Sequence, residues 1–289
     1  MYRDRFGFIP YSQTIDWSDG RIVPLPEFDN VLKILAAETA SDEFLYPPTQ
    51  RELLHRLPAS HVMELDDVSG EQEALRKGVA GFAMHFTGFL FGHRCHFEDW
   101  WVDGRVSLKA QSDFSCVRVA DIGFCIEQGI RTWSSWNNRM QRVATNALFL
   151  HNRTHIYHWD WERFQSGYTV LDAIYKVANG VYGVKAPTHE ERINALCSKL
   201  GLAEDPVYVS IITRLRNDLI HEGLWDGGMP GEARGEDSFR ASYRIRRICS
   251  RLFCALFKIE ADYIRSPWWS LSHFSLNPIR QQNSLARAE

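Results

Sequence analysis

The stretch Arg214-Leu215-Arg216-Asn217-Asp218-Leu219-Ile220-His221-Glu222-Gly223 ends a helix that Pro206 opens, and its reading decides the fold. It gathers permanent cations, a carboxamide, carboxylates and a titratable imidazole within two or three helical turns. Arg216 and His221 are five positions apart, so they sit about 140° from each other around a straight helix. A shared site then requires Arg216 to bend round, the helix to end near His221, or a second copy of the chain to supply the partner. Arg214 and His221, seven apart, return to nearly the same face. The same residues also read as plain helix chemistry: a solvated polar face and a His-Glu-Gly C-terminal cap.

Working outward, the flanks are helical. Upstream, Thr188 with Glu191 forms a capping box that opens a helix over 189–201. Before it, a helix over 162–179 buries Tyr168, Leu171, Ile174, Tyr175 and Ala178 and stops at Asn179-Gly180. Two more helices, 118–132 and 135–153, precede it, the second with Met140, Val143, Ala147 and Leu150 inward. Downstream, the loop 222–236 holds five glycines and is expected to be adaptable, with Trp225 in need of a docking place. A final helix over 237–263 carries Ile245, Ile248, Leu252 and Leu256 as its buried seam. Arg240, Arg244, Arg247 and Arg251 recur on it at i, i+4, i+7 and i+11, a stripe suited either to a phosphate backbone or to a solvated surface. Pro267-Trp268-Trp269 begins a tail over 266–289 whose aromatics dock back on the body.

The first 115 residues carry weaker signals. Residues 1–24 read as irregular or short extended structure, punctuated by Pro10, Asp19-Gly20 and Pro24. A helix is expected over 26–40, a short one over 49–56, and a long one opened by Ser69 with Gln72 completing a capping box. Asp103-Gly104 between β-prone runs signals a hairpin near 96–109, with its Trp100-Trp101 pair in the core and no large sheet.

At 289 residues the chain can bury a sizeable core, and 45% hydrophobic with 24% charged residues is the balance of a globular protein. Residues 1–75 hold 6 Lys/Arg against 14 Asp/Glu, and 76–289 hold 27 against 22, so a net −3 divides into −8 and +5. That division suits a body handling a polyanion, partly covered by an acidic segment, as well as ordinary solubility charge. Cys95, Cys116, Cys125, Cys197, Cys249 and Cys254 include no C-x-x-C pair and read as reduced core thiols. MYRDRFGFIP has no apolar signal core, and 79–92 is too short to span a bilayer, so a cytoplasmic protein without a membrane anchor is expected. His151, His155 and His158 could share a helix face for a metal, but Asp160-Trp161 reads as a break and no H-E-x-x-H pattern accompanies them. His93-Arg94-Cys95-His96 lacks a second ligand pair. No metal or cofactor is expected.

Arg216-Asn217-Asp218-Leu219-Ile220-His221 fits the R-x(4–6)-H motif of HEPN domains, which are helical bundles, including the polar residue that often follows the arginine. The preceding helices Thr169–Tyr175 and Arg192–Gly201, and the Arg-rich helix that follows, resemble the family's order over about residues 118–265. Nothing comparable reaches 1–115. The resemblance implies a mainly α protein: a HEPN-like bundle over 116–265, with a 1–115 region of separate role and a C-terminal tail. It further implies a metal-independent endoribonuclease that pairs two motifs across a homodimer and leaves 2′,3′-cyclic phosphate ends, in a prokaryotic defence or toxin–antitoxin setting with a regulatory partner or antitoxin. In that frame His221 does acid/base work, Arg216 stabilises the phosphorane and Asn217 orients either. Asp218 and Glu222 tune the imidazole, while Arg214, Arg240, Arg244, Arg247 and Arg251 contact RNA. The rival expectation is a catalytically silent bundle that serves as a binding or assembly module, partner to a nucleotidyltransferase or a larger complex.

Overall fold

The computed structural model describes residues 1–38, 44–45, 54–104, 106–107, 114–115, 118–232 and 235–280. The protein is mainly α, 56% helical, with ten α-helices among the described residues. In chain order these are β1 (Tyr2–Gly7), β2 (Ile15–Trp17), β3 (Gly20–Pro24), α1 (Phe28–Glu38), β4 (Phe44–Leu45), β5 (Leu54–Arg56), β6 (His61–Leu65), α2 (Gln72–Lys77) and α3 (Val79–Phe91). Then come β7 (His96–Phe97), β8 (Trp101–Asp103), β9 (Val106–Ser107), β10 (Phe114–Ser115), α4 (Val119–Ser134), α5 (Asn138–Arg153), α6 (Asp160–Tyr182), α7 (His189–Leu200) and α8 (Pro206–His221). The chain finishes with β11 (Trp225–Asp226), β12 (Met229–Pro230), α9 (Glu236–Leu256), α10 (Asp262–Arg265) and β13 (Phe274–Ser275).

The N-terminal segment departs most from expectation. Where irregular or short extended structure and no large sheet were expected, the short strands β1, β2 and β3 join β6 and β7 in a five-stranded antiparallel sheet of order β2-β3-β6-β1-β7. β1 does alternate, with Tyr2, Asp4 and Phe6 inward and Arg3 and Arg5 outward. The carboxylate at the central inward position disguises that period. Asp4 is buried because Arg76 of α2 clasps both its oxygens, Nε to Oδ2 at 2.5 Å and Nη2 to Oδ1 at 2.9 Å, while Tyr2 Oη donates at 2.7 Å. Burial pushes this carboxyl up, but the hydrogen bonds from Arg76, Tyr2 and Gln72 outweigh it and hold the pKa below the usual range. β6 lies in the middle of the sheet with all five residues buried, a pattern without alternation.

Gln72 Nε2 donates to Asp4 Oδ2 at 3.1 Å, so the capping box expected with Ser69 does not form, and Gly78 divides the expected long helix into α2 and α3. The expected hairpin near 96–109 is replaced by separate pairings: β7 with β1, β8 with β5 and β9 with β4. Leu54–Arg56 is a strand, not the end of a helix. Positions 49–53, 105 and 108–109 of those expectations, together with Cys116 and tail residues 281–289, lie outside the described residues. Trp101 is 59% exposed, with the Arg56 guanidinium 4.9 Å over its ring, so the pair is not all core.

The helical body follows the sequence closely. Thr188 and Glu191 close their capping box, and Asp205 caps α8 by accepting from Val207 N at 3.1 Å. α6 runs past Gly180, against which the Met140 side chain packs, to Tyr182, and Gly183, at φ 70°, ends the helix. α9 stops at Leu256, short of the expected 263, where Lys258 takes φ 58°. α6 packs against α5, α7, α8 and α9, and α3 against α4 and α5. The division at 115 is not a break in packing, since one core cluster runs from Tyr2 through α3 to Leu276. Within it Phe82 stacks on Trp133 at 5.0 Å and meets Phe257 edge-on at 5.2 Å. Trp268 is fully buried, and its Nε1 donates to Ala203 O at 3.1 Å, so the tail does dock back on the body.

Candidate functional site

Val209, Ile212, Leu215 and Leu219 bury one side of α8 and turn the polar residues of the motif outward at its C-terminal end. The helix ends at His221. Asp218 O accepts from Glu222 N at 3.2 Å and from Leu224 N at 3.0 Å, and Gly223 at φ 67° turns the chain away. Freed from a continuing helix, the exposed imidazole meets Arg216, whose Nη1 lies 2.6 Å from His221 Nε2 and 3.0 Å from Asn217 Oδ1. Arg216 bends round and the helix ends, so two of the three routes to a shared site operate within one chain. A guanidinium can only donate, so Nε2 is the acceptor in this arrangement and the imidazole proton sits on Nδ1. Asn217 and Glu222 are exposed, Asp218 is half-buried, and Arg214 is exposed one turn back.

Residues that the linear motif does not include complete the surroundings. The half-buried Arg216 guanidinium lies 5.8 Å from the ring centroid of Tyr168, on α6. The same ring packs against His189, the first residue of α7, at 5.6 Å, and His189 Nδ1 is 3.8 Å from Asp172 Oδ1. Burial lowers the His189 pKa, as do the nearby charges of Arg216, Arg192 and His221, while Asp172 pulls it back up. Burial also pushes the Tyr168 hydroxyl well above its ordinary value, with Asp172 reinforcing and Arg216 opposing. Sequence reading placed His189 only as a capped helix start. Nothing in linear spacing ties it to His221, because the proximity arises from α7 packing beside α8.

The arginine stripe of α9 is corrected by the fold. Arg244 is 2% exposed, and Arg247 and Arg251 are fully buried, so these three cannot lie along an RNA backbone. Arg244 donates to Asp237 at 2.8 Å and stacks 4.2 Å over Tyr208. Arg247 donates to Tyr243 Oη at 2.6 Å and to Ser272 O at 2.7 Å. Arg251 donates to Ser266 O at 2.9 Å and Ser266 Oγ at 2.7 Å, beneath the Tyr263 ring. Residues 263–274 lie across the Arg247 and Arg251 part of the stripe, which a helical wheel cannot reveal. Arg240 is half-buried, paired with Glu236 at 2.5 Å, and with Arg163, Arg246, Phe239 and Tyr243 lines a cavity of about 640 Å³.

His151, in the last turn of α5, and His155 and His158 beyond it separate. His151 Nε2 meets Ser250 Oγ at 3.2 Å, His155 Nδ1 meets Arg246 Nη1 at 3.3 Å, and His158 lies beside Trp159 and Glu162. Among the described residues no group of three or more His, Cys, Asp or Glu side chains could hold a metal ion, and no helix is long and apolar enough to cross a membrane. Trp225 finds its place by stacking on Trp161 at 5.4 Å. No known protein family, curated protein or solved structure matches the chain.

Proposed function

We propose that the protein is an endoribonuclease of HEPN type, acting without a metal and as a homodimer. The observation that carries this reading is the 2.6 Å contact between Arg216 and the exposed His221 at the end of α8. A permanent cation and an imidazole held together at a surface are the two groups that cleavage by the ribose 2′-hydroxyl needs. The 2′-hydroxyl gives up its proton, its oxygen attacks the adjacent phosphorus, and the 5′-oxygen departs with a proton, leaving a 2′,3′-cyclic phosphate. Arg216 leaves His221 for the phosphate oxygens as negative charge builds there, and the released Nε2 becomes available for proton transfer. Asn217 steadies the guanidinium through its Oδ1. Ile220, 43% exposed beside the motif, and Val207, 65% exposed at the other end of α8, offer apolar contact to a second α8.

The burial of Arg244, Arg247 and Arg251 supports a second reading, an assembly module without cleavage, because it removes most of the cationic stripe that would grip RNA. One gel separates the two. Wild type, Arg216→Ala, His221→Ala and wild type with EDTA are incubated with mixed structured and single-stranded RNA. The expected result is cleavage by wild type, unchanged by EDTA, and a loss of about 10²–10⁴ in rate in each variant. A folded wild type that leaves RNA intact in every lane favours the module. Cleavage that survives His221→Ala and fails with EDTA sinks the assignment of these residues.

A further inference from the structure

We infer that His189 is the second imidazole of the Arg216–His221 site, and that the three residues converge on one phosphate group. The assignment rests on the reading of that site as phosphodiester-cleaving and adds a residue that its motif does not contain. Three elements meet there: α6 supplies Tyr168 and Asp172, α7 supplies His189 and Arg192, and α8 supplies Arg216 and His221. Tyr168 is the common platform. Its ring carries the Arg216 guanidinium at 5.8 Å and the His189 ring at 5.6 Å, and Arg216 also touches His221. His189 is half-buried, so it is oriented yet reachable, and its electrostatic coupling to both Arg216 and His221 places all three in one field.

The two imidazoles differ in a way that divides the labour. Burial and the neighbouring cations keep His189 neutral, while Asp172 faces its Nδ1 at 3.8 Å and favours the tautomer that leaves Nε2 as the base. Once Arg216 leaves His221 for the phosphate, the freed His221 Nε2 takes up a proton from solvent. His189 Nε2 then takes the proton of the 2′-hydroxyl, the O2′–P bond forms, and the P–O5′ bond breaks as His221 Nε2 gives its proton to O5′. The net proton count is unchanged in the cleavage step, which ends at the 2′,3′-cyclic phosphate. Asp172 is a positioning residue here, acting through His189. One chain thus holds both proton-transfer groups, so the second copy is needed for binding or stability and not to supply the missing acid or base.

Two measurements test this on the full-length protein. In the first, NMR titration follows the imidazole resonances of His189 and His221 with and without inorganic phosphate. Phosphate should raise both pKa values, by about one unit or more, and Arg216→Ala should abolish both responses. A response at His221 alone, or at neither histidine, overturns the inference whatever the RNA gel shows. A response at both with no cleavage of RNA upholds the shared anion site and removes the nuclease reading instead. In the second, the pH dependence of cleavage is compared for wild type, His189→Asn and Asp172→Asn. His189→Asn should lose about 10²–10⁴ in rate and the acidic limb of the profile. Asp172→Asn should keep that limb but move it. An unaltered profile in His189→Asn overturns the base assignment, and matching circular dichroism spectra confirm that the variants are folded.

Discussion

Arg251→Ala distinguishes a fastening role from an RNA-gripping one most sharply. The wild-type guanidinium is fully buried and donates to Ser266 O, Ser266 Oγ, Arg247 O and Tyr263 Oη, at distances from 2.7 to 3.3 Å. Hydrogen bonds to a charged donor contribute about 1.5–3 kcal/mol each, but shared acceptors make them strongly non-additive. Removing one member of a buried charged network costs about 3–5 kcal/mol as a whole, because the groups left behind stay desolvated. Against a total stability of about 5–15 kcal/mol this is a large fraction. At about 2–4 °C per kcal/mol for chains of 150–250 residues, the melting temperature should fall on the order of 10 °C. Trp268 and Trp269, packed edge-on at 5.4 Å in the same segment, report the change in intrinsic fluorescence before the main transition. The exposed Arg214→Ala serves as control and should move stability by no more than about 0.5 kcal/mol. The reasoning fails if Arg251→Ala melts with wild type while the salt dependence of RNA affinity flattens by roughly one unit of slope.

Two further outcomes follow from the packing. His61 and His85 are buried with pKa values near 4, lowered first by burial and, for His85, also by the Arg94 charge. The unfolded chain therefore binds protons at higher pH than the native one, so stability is full above about 6.5 and falls as pH drops from there toward 4. Urea midpoints across that window should decline, and His85→Gln should shallow the decline; a flat wild-type curve refutes the assignment. Removal of residues 1–115 takes away α3, whose Phe82, Phe86 and Phe89 pack, face-on or edge-on, against Trp133, Phe253 and Phe257. At about 3–5 kcal/mol per lost phenylalanine, the three together cost about 9–15 kcal/mol, as much as the usual margin of about 5–15 kcal/mol, so the 116–289 chain should lack a cooperative transition in near-UV dichroism. A cooperatively melting 116–289 chain would show the N-terminal part to be an appendage.

The helical body was legible because its signals are local. The Thr188–Glu191 box, Pro206 behind Asp205 and the apolar period of α5 and α6 each act within a turn or two of backbone. The sheet was not legible, since its period is broken by an inward carboxylate at Asp4 whose partner, Arg76, is distant in sequence. The contact between Arg216 and His221 was anticipated as one of three geometries, and the terminus of α8 selected it. The neighbourhood of His189 and the covering of Arg244, Arg247 and Arg251 depend on which elements lie side by side, and a single helix carries no record of its neighbours.

The covered arginine row also bears on the order in which the protein is made. α9 is synthesised before Tyr263, Ser266, Ser272 and Phe274, the groups that later shelter the guanidinium heads of Arg247 and Arg251. Until those residues arrive, the helix must keep these two cations hydrated on a flank that the folded protein keeps dry. Burial of this pair therefore waits on the synthesis of residues 263–274, and a chain cut short before Tyr263 displays two cations that the folded protein hides. Released chains ending at 260 and at 280 should differ in protease resistance across α9, with protection confined to the longer one.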